Sequence, residues 1–188
     1  MNPHYFIAID IPDEITDIIH EWTEKMQKDW EFKSWVHRQD YHITLAFLGF
    51  IEDEQRLELL CEKLQHIGNN SSPFSLKVSH IGTFGREQFP RILWFGVEEN
   101  NSLHLLRNQV YDACKQCEFS LDPRPFHPHI TVAKKWKGEG PIQLEQGVEL
   151  FTDKKEFQVK SFKLFQTHLL RTPKYKKIYH FPFSGDLG

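Results

Sequence analysis

The chain is predicted to be α+β, with antiparallel strands and helices packed outside them. Three observations predict this. Segments of period-two alternation recur between segments of helical spacing, in the order β-α-β-β-α-β-β-α-β-β-β. No low-complexity linker divides the 188 residues. One tetrapeptide pattern, His-x-Thr-x, occurs twice, each time in an apolar, β-prone run, at His42-Ile43-Thr44-Leu45 and at His129-Ile130-Thr131-Val132. A repeat of this kind predicts two similar halves.

The elements follow in order. His4 to Asp10 alternates and is β-rich, hence a strand; Pro12-Asp13 opens a helix through about Lys28, with Ile15, Ile18, Ile19, Trp22 and Met26 as its core stripe. Phe32 to Val36 is a short strand, Arg38-Gln39-Asp40 a turn, and Tyr41 to Phe50 the first motif strand. Asp53 to Ile67 is the second helix, with Leu57, Leu60, Cys61 and Leu64 on one face and Gly68-Asn69-Asn70 ending it. Phe74 to Ile81 and Ile92 to Val97 pair across a loop, Gly82 to Arg91, that is long for a hairpin and is expected to border a site. Ser102 caps a third helix through Cys117, carrying Leu103, Leu106, Val110 and Ala113. Phe119 to Phe126, with Pro123 and Pro125, is an extended loop into the second motif strand, Pro128 to Ala133. The stretch from Trp136 to Asp153, with three glycines and Pro141, is expected to be irregular. Phe157 to Leu169 and Tyr175 to Phe183 close the chain as a strand pair.

Composition narrows the class. Hydrophobic residues at 39% and charged residues at 26% are globular values, and no apolar segment is long enough to span a membrane. The amino terminus lacks a signal peptide's order of basic then apolar residues, so the reading is a soluble cytoplasmic protein. Cys61, Cys114 and Cys117 cannot all pair within one molecule, which fits a reducing compartment. Cys114-x-x-Cys117 ends a helical pattern without the setting of a redox motif or a second pair for zinc. The net charge of −3 hides an asymmetry: residues 124–180 carry 12 Lys and Arg against 5 Asp and Glu. A basic tract around the second motif suggests an anionic substrate, while overall acidity argues against tight, non-specific binding to long nucleic acid.

In a strand, residues i and i+2 share a face, so each motif sets a threonine hydroxyl beside an imidazole. If the two strands lie side by side, His42, Thr44, His129 and Thr131 converge, and a phosphate suits such a cluster. One imidazole can take a proton while the other, protonated, gives one to a leaving oxygen. His127 and His129 share a strand face as a metal pair would, but no further ligands stand at a recognisable spacing. No metal and no cofactor are therefore expected, and His127 is read as a supporting residue.

The motif pair resembles the 2H phosphoesterase superfamily, and the surrounding residues resemble its RNA 2′,3′-cyclic phosphodiesterase branch, also called the 2′-5′ RNA ligase or LigT-like family. The likeness runs nearly end to end: His4-Tyr5-Phe6-Ile7-Ala8-Ile9, Trp35-Val36, His42 to Gly49, Ile81-Gly82-Thr83-Phe84, Pro90-Arg91-Ile92-Leu93-Trp94, the second motif, and Leu164-Phe165-Gln166-Thr167 with Tyr175. The resemblance implies one domain over residues 1–188, made of two interwoven lobes related by a pseudo-twofold, with two antiparallel sheets lining a central cleft and one motif from each lobe. It implies a metal-independent enzyme that opens RNA 2′,3′-cyclic phosphate ends to 2′-phosphomonoesters, with His42 the proton donor and His129 the acceptor. Thr44 and Thr131 would donate to the phosphate oxygens, Lys134 or Arg91 would offset charge, and Phe84 or Tyr175 would stack on the terminal base. Ordinary packing is the competing reading for the two aromatics. Lys134 is a departure, because the family usually has arginine there; lysine keeps the charge and loses the planar fork. The expected partner is an RNA end or short oligoribonucleotide, with no membrane, no obligatory protein partner and a monomeric chain. The rival readings are 2′-5′ ligation by the reverse reaction, a non-catalytic RNA-end or nucleotide-binding module, and a 2H enzyme acting on another cyclic or 2′-5′-linked nucleotide.

Overall fold

The computed structural model describes residues 2–152 and 154–185; Asp153, the last residue of the stretch expected to be irregular, lies outside the described residues, as do Met1 and 186–188. In chain order the elements are β1 (His4–Asp10), α1 (Asp13–Met26), β2 (Phe32–Trp35), a 3-10 turn (Arg38–Asp40), β3 (His42–Phe50), α2 (Glu54–Asn69), β4 (Phe74–Gly85), β5 (Pro90–Val97), α3 (Asn101–Gln116), β6 (His129–Trp136), α4 (Leu144–Leu150), β7 (Glu156–Val159), β8 (Ser161–Thr167) and β9 (Tyr175–Pro182).

The strands form one nine-stranded antiparallel sheet, ordered β7-β4-β5-β6-β3-β1-β8-β9, with β2 added to β6. The two sheets expected are thus joined into one path. The junction is narrow: β3 and β6, the two motif strands, meet at the single pair Ile43–Ile130. Both isoleucines are fully buried in the main core, with Ile15, Ile19 and Trp22 of α1, Leu60 and Leu64 of α2, and Leu103 and Val110 of α3. Their neighbours in each strand point to the other face. His42, Thr44, His129 and Thr131 therefore project together, away from that core. On the same side a small separate cluster forms from Phe6, Ala8 and Phe165, with Tyr175 packed against it.

Local chemistry explains the departures from expectation. The loop expected over Gly82 to Arg91 is mostly strand: β4 runs to Gly85 and β5 starts at Pro90. Gly82 is there for space, since a Cβ would lie 2.4 Å from the Trp94 ring. Asn100, not Ser102, caps α3; its side chain accepts from the Leu103 amide at 2.9 Å and donates to the Ser75 carbonyl at 2.8 Å. The run expected as one strand from Phe157 to Leu169 divides after Val159: β7 pairs with β4, and β8 with β1 and β9. Within the irregular stretch lies α4, where Gly147 packs under Trp22 and Trp30 and its carbonyl accepts from the Trp22 indole at 2.9 Å.

Candidate active site

Each motif histidine is held in the same way. The His42 Nδ1–H donates to the Asp40 carbonyl at 2.7 Å, and the His129 Nδ1–H donates to the His127 carbonyl at 2.7 Å. A carbonyl only accepts, so the hydrogen sits on Nδ1 and each neutral ring presents an unprotonated Nε2. The Thr44 hydroxyl lies 3.1 Å from the His42 Nε2 and, by the same reasoning, donates to it. In both motifs the anchoring carbonyl belongs to the residue two before the histidine. This repeats the sequence symmetry at the level of hydrogen bonding.

Asp40 is the buried post behind His42. It is 4% exposed, and its two carboxylate oxygens accept the backbone N–H groups of Lys174 at 2.9 Å and Tyr175 at 3.1 Å. The start of β9 is thereby fixed to the residue that orients the ring. Tyr175 in turn sets its edge against His42, with ring centres 5.1 Å apart, and Phe6 lies 4.8 Å away. Tyr175 is thus a wall of the His42 pocket. On the other side Phe84 stands perpendicular to His129 at 4.8 Å, and Trp94 packs on His127 at 4.8 Å.

These surroundings set the proton affinities. Burial pushes the His42 pKa down to about 4; the Asp40 carbonyl bond opposes this, and the charges of Lys134 and His129 push it further down. Burial also lowers His129, opposed by the His127 carbonyl bond and aided by the His127 ring. Lys134 is half-buried, and its pKa is lowered by burial and then by Lys174. Both rings are thus neutral in the free protein at pH 7, and His129 and Lys134 are near enough to act electrostatically on His42.

A cleft of about 820 Å³ opens beside the pair, lined by Thr44, His129, His127, Phe84 and Arg91, and farther out by Arg107, Tyr111 and Phe126. The structure therefore gathers His42, Thr44, His129, Thr131, Phe84 and Tyr175 around one face, with Lys134 coupled to His42 and Arg91 exposed on the cleft wall. Among the described residues no group of three or more His, Cys, Asp or Glu side chains is placed to hold a metal ion. Sequence reasoning missed Asp40, taken as a turn residue, and the aromatic floor of Phe6 and Phe165. The alternation of β1, which sets Phe6 and Ala8 on one face, carried the signal for the floor; the anchor at Asp40 had none, because it is a backbone carbonyl.

A nine-stranded antiparallel α+β sheet with a duplicated His/Thr face defines the class. The family model described as the 2′-5′ RNA ligase superfamily matches residues 3–170, and the chain belongs to that family. Among similar proteins, an RNA 2′,3′-cyclic phosphodiesterase of Geobacillus stearothermophilus is 43% identical over 182 residues, covering 97% of this chain; the chain spans 58% of that relative's length. An RNA 2′,3′-cyclic phosphodiesterase of Bacillus subtilis is 38% identical over 184 residues, covering 98% of both chains. Among solved structures, Escherichia coli LigT complexed with 3′-AMP superposes with a TM-score of 0.79 at 23% identity, covering 98% of this chain and 99% of the other.

Proposed function

We propose that this protein hydrolyses RNA 2′,3′-cyclic phosphate termini to 2′-phosphomonoesters, using its two histidines as base and acid. The observation that carries this is the pair of imidazoles on one face, each with Nδ1 locked on a carbonyl and Nε2 left for chemistry. The relatives' names supply the substrate class. In the reaction one Nε2 takes a proton from water, the water oxygen bonds to phosphorus, the bond from phosphorus to the ribose 3′ oxygen breaks, and the other ring, protonated, gives that oxygen its proton.

Following the resemblance, His42 is the donor and His129 the acceptor. His42 is neutral in the free protein, so the donor role requires the arriving phosphate anion to raise its pKa. Thr44 and Thr131 donate to the non-bridging oxygens, with the Thr44 hydroxyl turning from His42 to the phosphate. Lys134 and Arg91 offset the developing charge; Phe84 takes the terminal base, and Tyr175 positions His42.

We read residues 1–188 as one domain of two interwoven lobes, acting as a cytoplasmic monomer without cofactor. The continuous sheet supports the single domain. Three unpaired cysteines, with burial pushing the Cys114 thiol up to about 12, suit a reducing compartment. Among the described residues no helix is long and apolar enough to cross a membrane. The test is turnover of a cyclic-phosphate oligoribonucleotide by His42→Gln and His129→Gln. Each variant should lose about 10²–10⁴ in kcat, and the double variant should lose little more than the worse single one. Full activity in either single variant rules out the two-histidine reading.

A further inference from the structure

The cleft continues past the histidines to side chains that the reaction at phosphorus does not use. Its volume, about 820 Å³, stands near the top of the roughly 300–1,000 Å³ range that holds a small ligand. The outer wall is built by α3 and the segment after it. There Arg107 lays its guanidinium 4.0 Å from the centre of the Tyr111 ring and 5.3 Å from that of Phe126. Its Nε is buried and has no hydrogen-bond partner among the described residues, and no carboxylate of those residues pairs with it. Arg124, on the same cleft wall, is by contrast already taken up by Asp122.

A guanidinium held flat by aromatic rings and lacking an acceptor is prepared for an anion that arrives with the ligand. The cyclic phosphate itself belongs at His129 and Thr44, where this cleft begins. An RNA end carries its next anion one nucleotide upstream.

We propose that Arg107, seated on Tyr111 and Phe126, forms a subsite for the internal phosphodiester on the 5′ side of the terminal cyclic nucleotide. The enzyme is then built for RNA ends of two or more nucleotides, in preference to free cyclic mononucleotides. This rests on the cyclic phosphodiesterase reading above.

The test compares three substrates on the full chain: a nucleoside 2′,3′-cyclic monophosphate, a dinucleotide ending in a 2′,3′-cyclic phosphate, and the same dinucleotide with an uncharged methylphosphonate linkage. The expected result is a kcat/KM at least about tenfold higher for the phosphodiester dinucleotide than for either other substrate, the size of one charged hydrogen bond. Arg107→Ala should bring the dinucleotide-to-mononucleotide ratio near one, with Arg107→Lys in between. Equal rates for the two dinucleotides with the wild-type protein overturn the subsite, whatever the variants do. If none of the three is turned over, the activity reading fails separately. Calorimetric titration with the two dinucleotides bearing a 3′-phosphate then decides the subsite: tighter binding of the charged linkage upholds it, and equal affinity overturns it.

Discussion

Raising the pH from 6.5 to 8.5 should lower kcat/KM by about a hundredfold, and the reason lies in the surroundings of the two rings. The reactive form of the free enzyme has one imidazole neutral and one protonated. His42 is pushed to about 4 by burial, with Lys134 and His129 adding to the shift, and His129 also lies below its ordinary value. A shift from about 6.5 to 4 favours the neutral His42 ring by roughly 3 kcal/mol. The singly protonated pair is therefore abundant only from about pH 4 up to the His129 pKa, which burial holds below its ordinary value, and above that it falls tenfold per unit. The assay is initial rates at low concentration of a cyclic-phosphate dinucleotide from pH 4 to 9, giving kcat/KM, with kcat measured at saturation. The maximum in kcat/KM should lie below pH 6.5, and that in kcat should lie higher, because the bound anion raises both pKa values. A flat kcat/KM profile, or a maximum above pH 7, would show that a singly protonated histidine pair is not the active form of the free enzyme.

Further outcomes follow from the same geometry. His42 takes up its proton at a lower pH folded than unfolded, so between about pH 6.5 and 4 the unfolded chain binds more protons and stability falls as pH falls. Urea midpoints should drop over that window, and less steeply in His42→Gln. Asp40→Ala leaves the amides of Lys174 and Tyr175 without their acceptor; at roughly 1–3 kcal/mol for a buried unpaired group it should destabilise the fold and lower kcat, read by urea unfolding and initial rates. Gly82→Ala drives a methyl into Trp94 and should cost about 1–3 kcal/mol, with a lower kcat because Trp94 packs on His127, whose carbonyl holds His129. Thr131→Val should cost about 10²-fold in kcat as one phosphate donor is lost.

The two motif strands were legible because period-two alternation and apolar flanks agreed, and because the repeated spacing points to paired strands even before their register is known. Glycines misled where they serve packing rather than turning. Gly82 suggested a loop and instead admits the Trp94 ring; Gly147 suggested irregularity and instead lets α4 dock on Trp22 and Trp30. The division between β7 and β8 is marked in the sequence only by a slip of phase: apolar residues fall at Phe157 and Val159, then Lys160-Ser161 place two polar residues in succession before Phe162 and Leu164, and the change of pairing partner follows that slip. The anchoring of the histidines depends on backbone carbonyls, which every residue has, so no residue type at Asp40 or His127 announces it. Arg107 resembles any exposed helix cation until α3 and Phe126 are brought together.

The most direct test is phosphorus NMR of a short oligoribonucleotide ending in a 2′,3′-cyclic phosphate, incubated with the protein in excess chelator. Ring opening to a single 2′-phosphomonoester is expected from the wild type and not from the double variant His42→Gln/His129→Gln. An unchanged cyclic phosphate with the wild type, or equal conversion by the double variant, would contradict the account.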